Sequence, residues 1–365
     1  MTGKTAITGL TKEELESEIL EMGQPRYRAG QVMEWIYDKR VNRFSEMTNL
    51  PDNLRSELDE NYIINALSSV KDDRSSDTTR KYLYRLHDGR YIETVIIPAS
   101  VGNQGNRSDR NTLCVSSQVG CAYGCKFCAS GLDGFTRNLE AAEITGQIMS
   151  VEEETLKKIN NVVFMGMGEP LANLNNLMQA IQIINASWGI GIGARHITVS
   201  TSGLVPQIRK IAEQPLQIRL AISLHGASDE VREKIMPVNK KYPISKLFDA
   251  LHYYKSKKSQ KITFEYILIK DVNDSLDQAK KLSKEARSLN AKVNLIPYNT
   301  VDGLDWERPS ENTQRDFLNV LTSNGIQSTL RKEKGHDIEA ACGQLRLRKE
   351  KQEASEAISK LTLKP

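Results

Sequence analysis

The sequence predicts an α/β protein: a partial (β/α)6 barrel, preceded by a small N-terminal helical accessory domain and a β-hairpin extension. Three observations carry this. From Thr112 onward, short apolar runs alternate with helix-like segments, the pattern of a parallel sheet with helices outside. Between Thr11 and Leu58 the apolar residues recur with the helical period. Between these regions, residues 78–98 alternate with period two around a His87-Asp88-Gly89 turn. Six strand–helix units are too few for an eight-fold barrel and suit an open partial one, with sites at the C-terminal strand ends as in full barrels. A doubly wound sheet is the alternative that the same pattern allows.

In chain order, Thr11 with Glu14 has capping-box spacing and opens a helix carrying Leu15, Ile19 and Leu20 on an apolar stripe. A second helix is expected from Ala29 to Arg40, with Val32, Trp35 and Ile36 on one face, and a third from Pro51 to Glu60. The stretch 26–43 sets Arg26, Arg28, Lys39, Arg40 and Arg43 among Tyr27, Trp35 and Tyr37. Cations beside flat rings suit a nucleic acid, and a solvated helix face over core aromatics gives the same composition. The hairpin runs Lys81–Leu86 and Arg90–Ile97, with Tyr91, Glu93 and Val95 on one face. Strands are expected at Thr112–Ser116, Asn161–Met165, His196–Ser200, Ile218–Leu224, Ile262–Ile269 and Val293–Pro297. Helices fall at Glu140–Glu154, Leu174–Ser187, Val205–Glu213, Ile244–Tyr254 and Ser275–Leu289, then a helix near Thr313–Ser323 and a strand near Gln327–Arg331. The expected division is 1–75 accessory domain, 76–110 hairpin and linker, 111–345 core and 346–365 charged tail.

The chain has 365 residues, 39% hydrophobic and 26% charged, ordinary for a globular protein with a sizeable core. A net charge of +4 permits a nucleic acid partner without demanding one. No apolar run approaches the roughly 18 residues of a membrane span, and the first residues lack the pattern of a secretory signal, so the cytoplasm is expected. Five cysteines, three of them crowded, make a poor disulfide framework and suit a reducing compartment.

The crowded three are Cys121, Cys125 and Cys128, at CxxxCxxC spacing. A closed zinc site or a purely electron-transferring cubane takes four soft ligands. Three thiolates on a four-iron cluster leave one iron open to a small molecule. Other polar groups follow the predicted strands on the same rim: Gly166-Met-Gly168-Glu169-Pro170, Ser200-Thr-Ser-Gly203, Ser223-Leu224-His225-Gly226 and Pro297-Tyr-Asn299. Together they suit a ligand with an amino acid head, hydroxyls and a ring, with Glu169 placed to pair with a cationic amine.

CxxxCxxC after a first strand, followed by a GxGEP turn, resembles the radical S-adenosylmethionine superfamily. The stretches Cys114-Val-Ser-Ser-Gln-Val-Gly-Cys121, Phe164–Leu171, Ser200–Gly203, Ile222–His225, Asn294–Pro297 and Asp337–Leu345 are similar to the RNA adenine-C2 methyltransferases of the RlmN/Cfr family. The similarity runs from about residue 10 to 345, and Cys114 paired with Cys342 is its most specific part.

The resemblance implies roles. Cys121, Cys125 and Cys128 would ligate a [4Fe–4S] cluster whose open iron chelates S-adenosylmethionine, used twice per turnover. Gly168, Glu169, Ser200, Ser223, Leu224, His225 and Asn299 would contact that cofactor. Cys342 would carry the methyl group, Cys114 would be its partner thiol, and Glu93 would accept the C2 proton, with Cys114 the alternative acceptor. Implied substrates are an adenine in the peptidyl-transferase region of 23S rRNA and the adenine beside a tRNA anticodon. Implied partners are these RNAs and a reducing protein such as flavodoxin or ferredoxin, acting on a monomer. The chemistry agrees: adenine C2 is an electron-poor C–H that cannot attack a sulfonium methyl, so a cofactor must supply a radical. Two alternatives are C8 methylation of the same rRNA adenine and a non-catalytic, metal-stabilised RNA-binding protein.

Overall fold

The computed structural model of the chain describes residues 4–99, 110–131, 134–301, 304–331, 334–341 and 343–345. Helix α1 (Lys12–Glu21) begins at Thr11, whose hydroxyl accepts from the Glu14 N–H while the Glu14 carboxylate accepts from the Thr11 N–H. Helix α2 (Arg28–Met33) passes into a wider π turn over Glu34–Asp38, and α3 covers Asp52–Asn61. Leu15, Ile19, Ala29, Val32, Ile36, Leu54 and Leu58 form their common core. Leu20 departs from expectation: it is 46% exposed, because it sits one residue past Ile19 and rotates off the buried face.

Among the described residues, ten strands form one continuous sheet: β1 (Ser68–Arg74), β2 (Arg80–Arg85), β3 (Tyr91–Pro98), β4 (Asn111–Cys114), β5 (Asn161–Phe164), β6 (Ile197–Thr201), β7 (Arg219–Ser223), β8 (Thr263–Leu268), β9 (Lys292–Pro297) and β10 (Ser328–Leu330). They lie across the sheet in chain order. From β4 to β10 all neighbours are parallel, whereas β1 to β4 pair antiparallel. The expected hairpin is therefore part of the barrel sheet and has three strands. Strand β1 lies inside the stretch assigned to the accessory domain. Its residues, Ser-Ser-Val-Lys-Asp-Asp-Arg, show no apolar alternation, as an edge strand with exposed side chains allows.

The remaining helices are α4 (Ala141–Thr155), α5 (Leu174–Asn185), α6 (Val205–Ala212), α7 (Asp229–Ile235), α8 (Ile244–Lys257), α9 (Leu276–Ser288) and α10 (Glu311–Ser323). Two further features went unread in the sequence: the short helix α7, and a ribbon pairing Gln118–Gly120 with Phe135–Asn138 around the cysteine loop. The helical module docks on α4. The Thr8 carbonyl accepts from Tyr37 Oη (3.2 Å) and Thr145 Oγ1 (3.0 Å), and Asn42 Nδ2 donates to Glu153 (2.6 Å). Gly9 lies so close to Ala142 that a Cβ would sit 3.0 Å from the alanine Cβ. No helix among the described residues is long and apolar enough to cross a membrane.

Candidate active site

At the C-terminal strand ends a cavity of about 880 Å³, counting its open mouth, is lined by Cys121, Cys125 and Cys128 together with Gly168, Glu169, Ser200, Ser223 and His225. The cysteine loop is folded by its own backbone: the Cys128 N–H donates to Cys125 O (3.0 Å), the Gly131 N–H to Cys128 O (3.1 Å) and the Cys121 N–H to Gly134 O (2.8 Å). The Lys126 N–H donates to Ile235 O (2.9 Å), which anchors the loop on α7. Burial, reinforced by the neighbouring Cys128, pushes the Cys121 thiol up to about 12 and the Cys125 thiol well above its ordinary value. Burial therefore disfavours the bare thiolates of Cys121 and Cys125. Among the described residues no three His, Cys, Asp or Glu side chains converge as a single-ion site requires. Three soft thiols spread around one cavity fit a polynuclear iron–sulfur cluster, whose ligands bind separate irons.

Glu169 is buried, and burial raises its carboxyl against the hydrogen bonds it receives. Its Oε2 accepts from the Ser202 N–H (2.7 Å) and its Oε1 from the Leu171 N–H (3.1 Å). The turn before it requires glycine: Gly168 has φ +96°, and a Cβ there would lie 2.5 Å from the Gln118 Cβ. His225 holds φ +54°, with Nδ1 accepting from the Ile267 N–H at 3.0 Å. That bond puts the ring proton on Nε2. Burial, with Arg232 adding to it, lowers the His225 pKa to about 3, so the ring is neutral at physiological pH.

Arg232, from the helix the sequence reading missed, is fully buried. Its Nε donates to Leu224 O (3.0 Å), Nη1 to Asn239 Oδ1 (2.8 Å) and Nη2 to Ser202 O (2.5 Å). One guanidinium therefore ties the loops after β6 and β7 together. Glu265 on β8 also lines the cavity and was likewise missed; a lone carboxylate in the apolar run Phe264-Glu-Tyr-Ile-Leu268 was the available signal. Two expected contacts lie elsewhere. Leu224 is buried in the core beside the cavity, and Asn299 lines an adjoining space, where its Oδ1 accepts from Arg308 Nη2 (3.1 Å).

That second cavity is lined by Cys114, Ile97, Asn299, Ala341 and Gly343, and shares Met165, Ile296 and Gly343 with the first. Cys342 lies outside the described residues, while its chain neighbours Ala341 and Gly343 line the cavity with Cys114. Cys114 ends β4, in register with Val95 of β3. Glu93, two residues before Val95, shares that strand face, is buried and pairs with Lys81 Nζ at 3.1 Å. It is not among the described residues lining either cavity. Residues 334–341 are tied to the β1–β2 turn and β3: Lys334 Nζ donates to Pro98 O (2.6 Å), the Gly335 N–H to Asp77 Oδ2 (2.8 Å) and Ser75 Oγ to Asp337 Oδ1 (2.6 Å).

The basic aromatic stretch of the module divides. Tyr27 is 61% exposed beneath Arg28, and Lys39 lies 3.7 Å from the Trp35 ring. Tyr37 is buried against Thr8, and Arg40 pairs with Glu152.

Residues 115–282 match the family model of the radical SAM superfamily, and residues 5–64 match that of the ribosomal RNA large subunit methyltransferase N-terminal domain. The chain is 54% identical over 348 residues to a probable dual-specificity RNA methyltransferase RlmN of Akkermansia muciniphila, covering 95% of this chain and 97% of that protein. It is 52% identical to a probable RlmN 3 of Opitutus terrae, with 98% of each covered. The crystal structure of a radical SAM methyltransferase from Sphaerobacter thermophilus superimposes with a TM-score of 0.88 at 42% identity, covering 94% of this chain and 99% of that one. These relationships overturn the non-catalytic alternative. The chain belongs to the RlmN family of radical S-adenosylmethionine RNA methyltransferases, enzymes that work with a [4Fe–4S] cluster and S-adenosylmethionine.

Proposed function

We propose that the protein methylates C2 of an adenine in the peptidyl-transferase region of 23S rRNA and C2 of the adenine beside the tRNA anticodon. Cys121, Cys125 and Cys128 hold the cluster, and Glu169, Ser200, Ser223 and His225 hold S-adenosylmethionine. When bound, these groups supply a methyl group and hydrogen-atom abstraction. The chain's residues do the rest. Cys342 carries the methyl as a thioether and becomes joined to the RNA base through it. Glu93 or Cys114 takes the C2 proton. Cys114, as its thiolate, attacks the Cys342 sulfur: the S–S bond forms, the bond from that sulfur to the carbon on the base breaks, its electron pair goes to that carbon, and a proton completes the methyl group; a dithiol reductant then returns the disulfide to two thiols.

One observation supports this reading above the others: the thiol-lined cavity shares a wall with a second one, lined by Cys114 and the chain neighbours of Cys342. A carbon-centred radical must be shielded from water and held close to its target, and adjoining buried spaces serve both needs. The adenine enters by leaving its stack, which fits recognition of folded RNA through the module's exposed Tyr27 and cations. The work is done in the cytoplasm by a monomer, with electrons from a flavodoxin- or ferredoxin-like donor. Mass spectrometry of rRNA and tRNA nucleosides from a deletion strain tests the assignment. Loss of 2-methyladenosine from both pools is expected. Its persistence overturns the assignment, and loss of 8-methyladenosine instead establishes C8 chemistry.

A further inference from the structure

We propose that Gln118 is a positioning residue that sets the Glu169 turn against the cysteine loop, an inference that rests on reading the first cavity as the S-adenosylmethionine site. The turn Gly166-Met-Gly168-Glu169 has little shape of its own. Its two glycines lack side chains, and Gly168 stands at φ +96°. Its order comes from the chain that follows β4. The Gly166 N–H donates to Val115 O (3.1 Å) and the Met167 N–H to Ser116 Oγ (2.9 Å). Met167 O accepts from the Ser117 N–H at 2.9 Å and from the Gln118 N–H at 3.2 Å. The approach is as close as glycine allows, since a Cβ on Gly166 would lie 2.7 Å from the Val115 carbonyl carbon.

Gln118 carries this support on to Glu169 itself. Its Oε1 accepts from the Glu169 N–H at 2.8 Å, and its Nε2 donates to Asn138 Oδ1 at 2.8 Å. The two ends are chemically distinct: a backbone N–H is met only by the amide oxygen, which leaves the amide nitrogen for the asparagine. Asn138 is a firm post. It stands in register with Gln118 on the ribbon around the cysteine loop, and Arg137 beside it donates twice to the buried Glu143, at 2.7 and 2.8 Å. Gln118 is 2% exposed and is not among the described residues lining the cavity, so it acts through Glu169. It also lies three positions before Cys121, and one amide thereby relates the carboxylate to the first of the three thiols. Without that oxygen the buried Glu169 N–H loses this acceptor. The glycine-rich turn then gains freedom where a carboxylate has to meet a cationic amine.

The test titrates cluster-loaded enzyme with S-adenosylmethionine, followed by calorimetry and by electron paramagnetic resonance of the reduced cluster. Gln118→Met keeps the volume and removes both bonds. It is expected to bind about 10-fold more weakly than wild type. Iron content and the cofactor-free spectrum should stay unchanged, because the cysteine loop is folded by its own backbone. Gln118→Glu keeps an acceptor for the Glu169 N–H and is expected to bind within about 3-fold of wild type. A role limited to packing predicts the reverse order, with the Met variant unaffected. Wild-type affinity in Gln118→Met overturns the assignment. So does a Gln118→Glu variant as weak as Gln118→Met, or a cofactor-free spectrum that changes in Gln118→Met. If Gln118→Met fails to fold, Asn138→Ala decides, since it removes the post that holds the amide. Weaker binding with an unchanged cofactor-free spectrum then supports the assignment, and any other result overturns it. A wild-type cluster spectrum unmoved by S-adenosylmethionine instead overturns the reading of the cavity itself.

Discussion

The two cavities share a wall and are built by different means. The first is assembled from neighbouring strand ends, and its polar groups are pinned by nearby backbone: Glu169 by Ser202 and Leu171, His225 by Ile267, and the loops themselves by Arg232. The second has β3 and β4 on one side and residues 334–341 and 343–345 on the other, and residues 334–337 are held by bonds to Ser75, Asp77 and Pro98, more than two hundred positions away in sequence. The cavity lined by Cys121, Cys125 and Cys128 is preorganised by the sheet. The cavity lined by Cys114 is closed by folding the far end of the chain back on the antiparallel part of the sheet.

The largest effect that would break this contrast is chemical. Cys114→Ala should lower turnover by about 1000-fold or more and leave protein covalently joined to RNA, seen as a shifted band in denaturing gels. A variant that turns over without an adduct removes the resolving role. Next comes Arg232→Met, which strands the carbonyls of Ser202 and Leu224 and the Asn239 amide. It should cost about 3 kcal/mol in urea unfolding and weaken S-adenosylmethionine binding while leaving the contacts of 334–341 unchanged. A loss below about 1 kcal/mol would mean that the loops hold without it.

A smaller effect sharpens the electrostatic side. His225 has a folded pKa of about 3 against an ordinary 6.5, so on acidification the unfolded chain takes the proton first. Its contribution to stability is therefore complete above about pH 6.5 and declines toward pH 3, by at most about 1.4 kcal/mol per pH unit. Relative to wild type, His225→Asn should flatten the acid limb of a pH series of unfolding midpoints. An unaltered limb would place the ring in a wetter setting. The smallest effect is at the other cavity. Asp337→Ala removes bonds from Ser75 and Ser76 and should speed amide exchange at 334–341 severalfold, with cofactor affinity unchanged. The bonds from Ser75 and Ser76 hold the Asp337 pKa below its ordinary value of 3.8, so in wild type this attachment persists above pH 4 and is lost only in stronger acid.

The same contrast explains what could be read from the chain. The parallel strands of the core are apolar runs bounded by polar turns, and β5, β6 and β9 begin or end within about a residue of the positions expected. The first cavity was legible because its groups follow those strands directly. Arg232 was not, since Asp-Glu-Val-Arg-Glu-Lys reads as a solvated turn and only the crossover after β7 buries it. Strand β1 was hidden by the polar side chains that an edge requires. For the second cavity, pattern could supply only Cys114, through a resemblance; no local period connects Asp337 to Ser75. Glu93 was legible as a carboxylate on the face of Val95, while its partner Lys81 becomes evident only when β2 and β3 are paired.

The docking of the helical module sets a fixed geometry. The Thr8 carbonyl accepts from both Tyr37 and Thr145, and a Cβ at Gly9 would sit 3.0 Å from the Ala142 Cβ, so a tilt of the module disturbs both contacts. Held in this way, the module behaves as one jaw of a caliper whose other jaw is the cysteine loop anchored on α7.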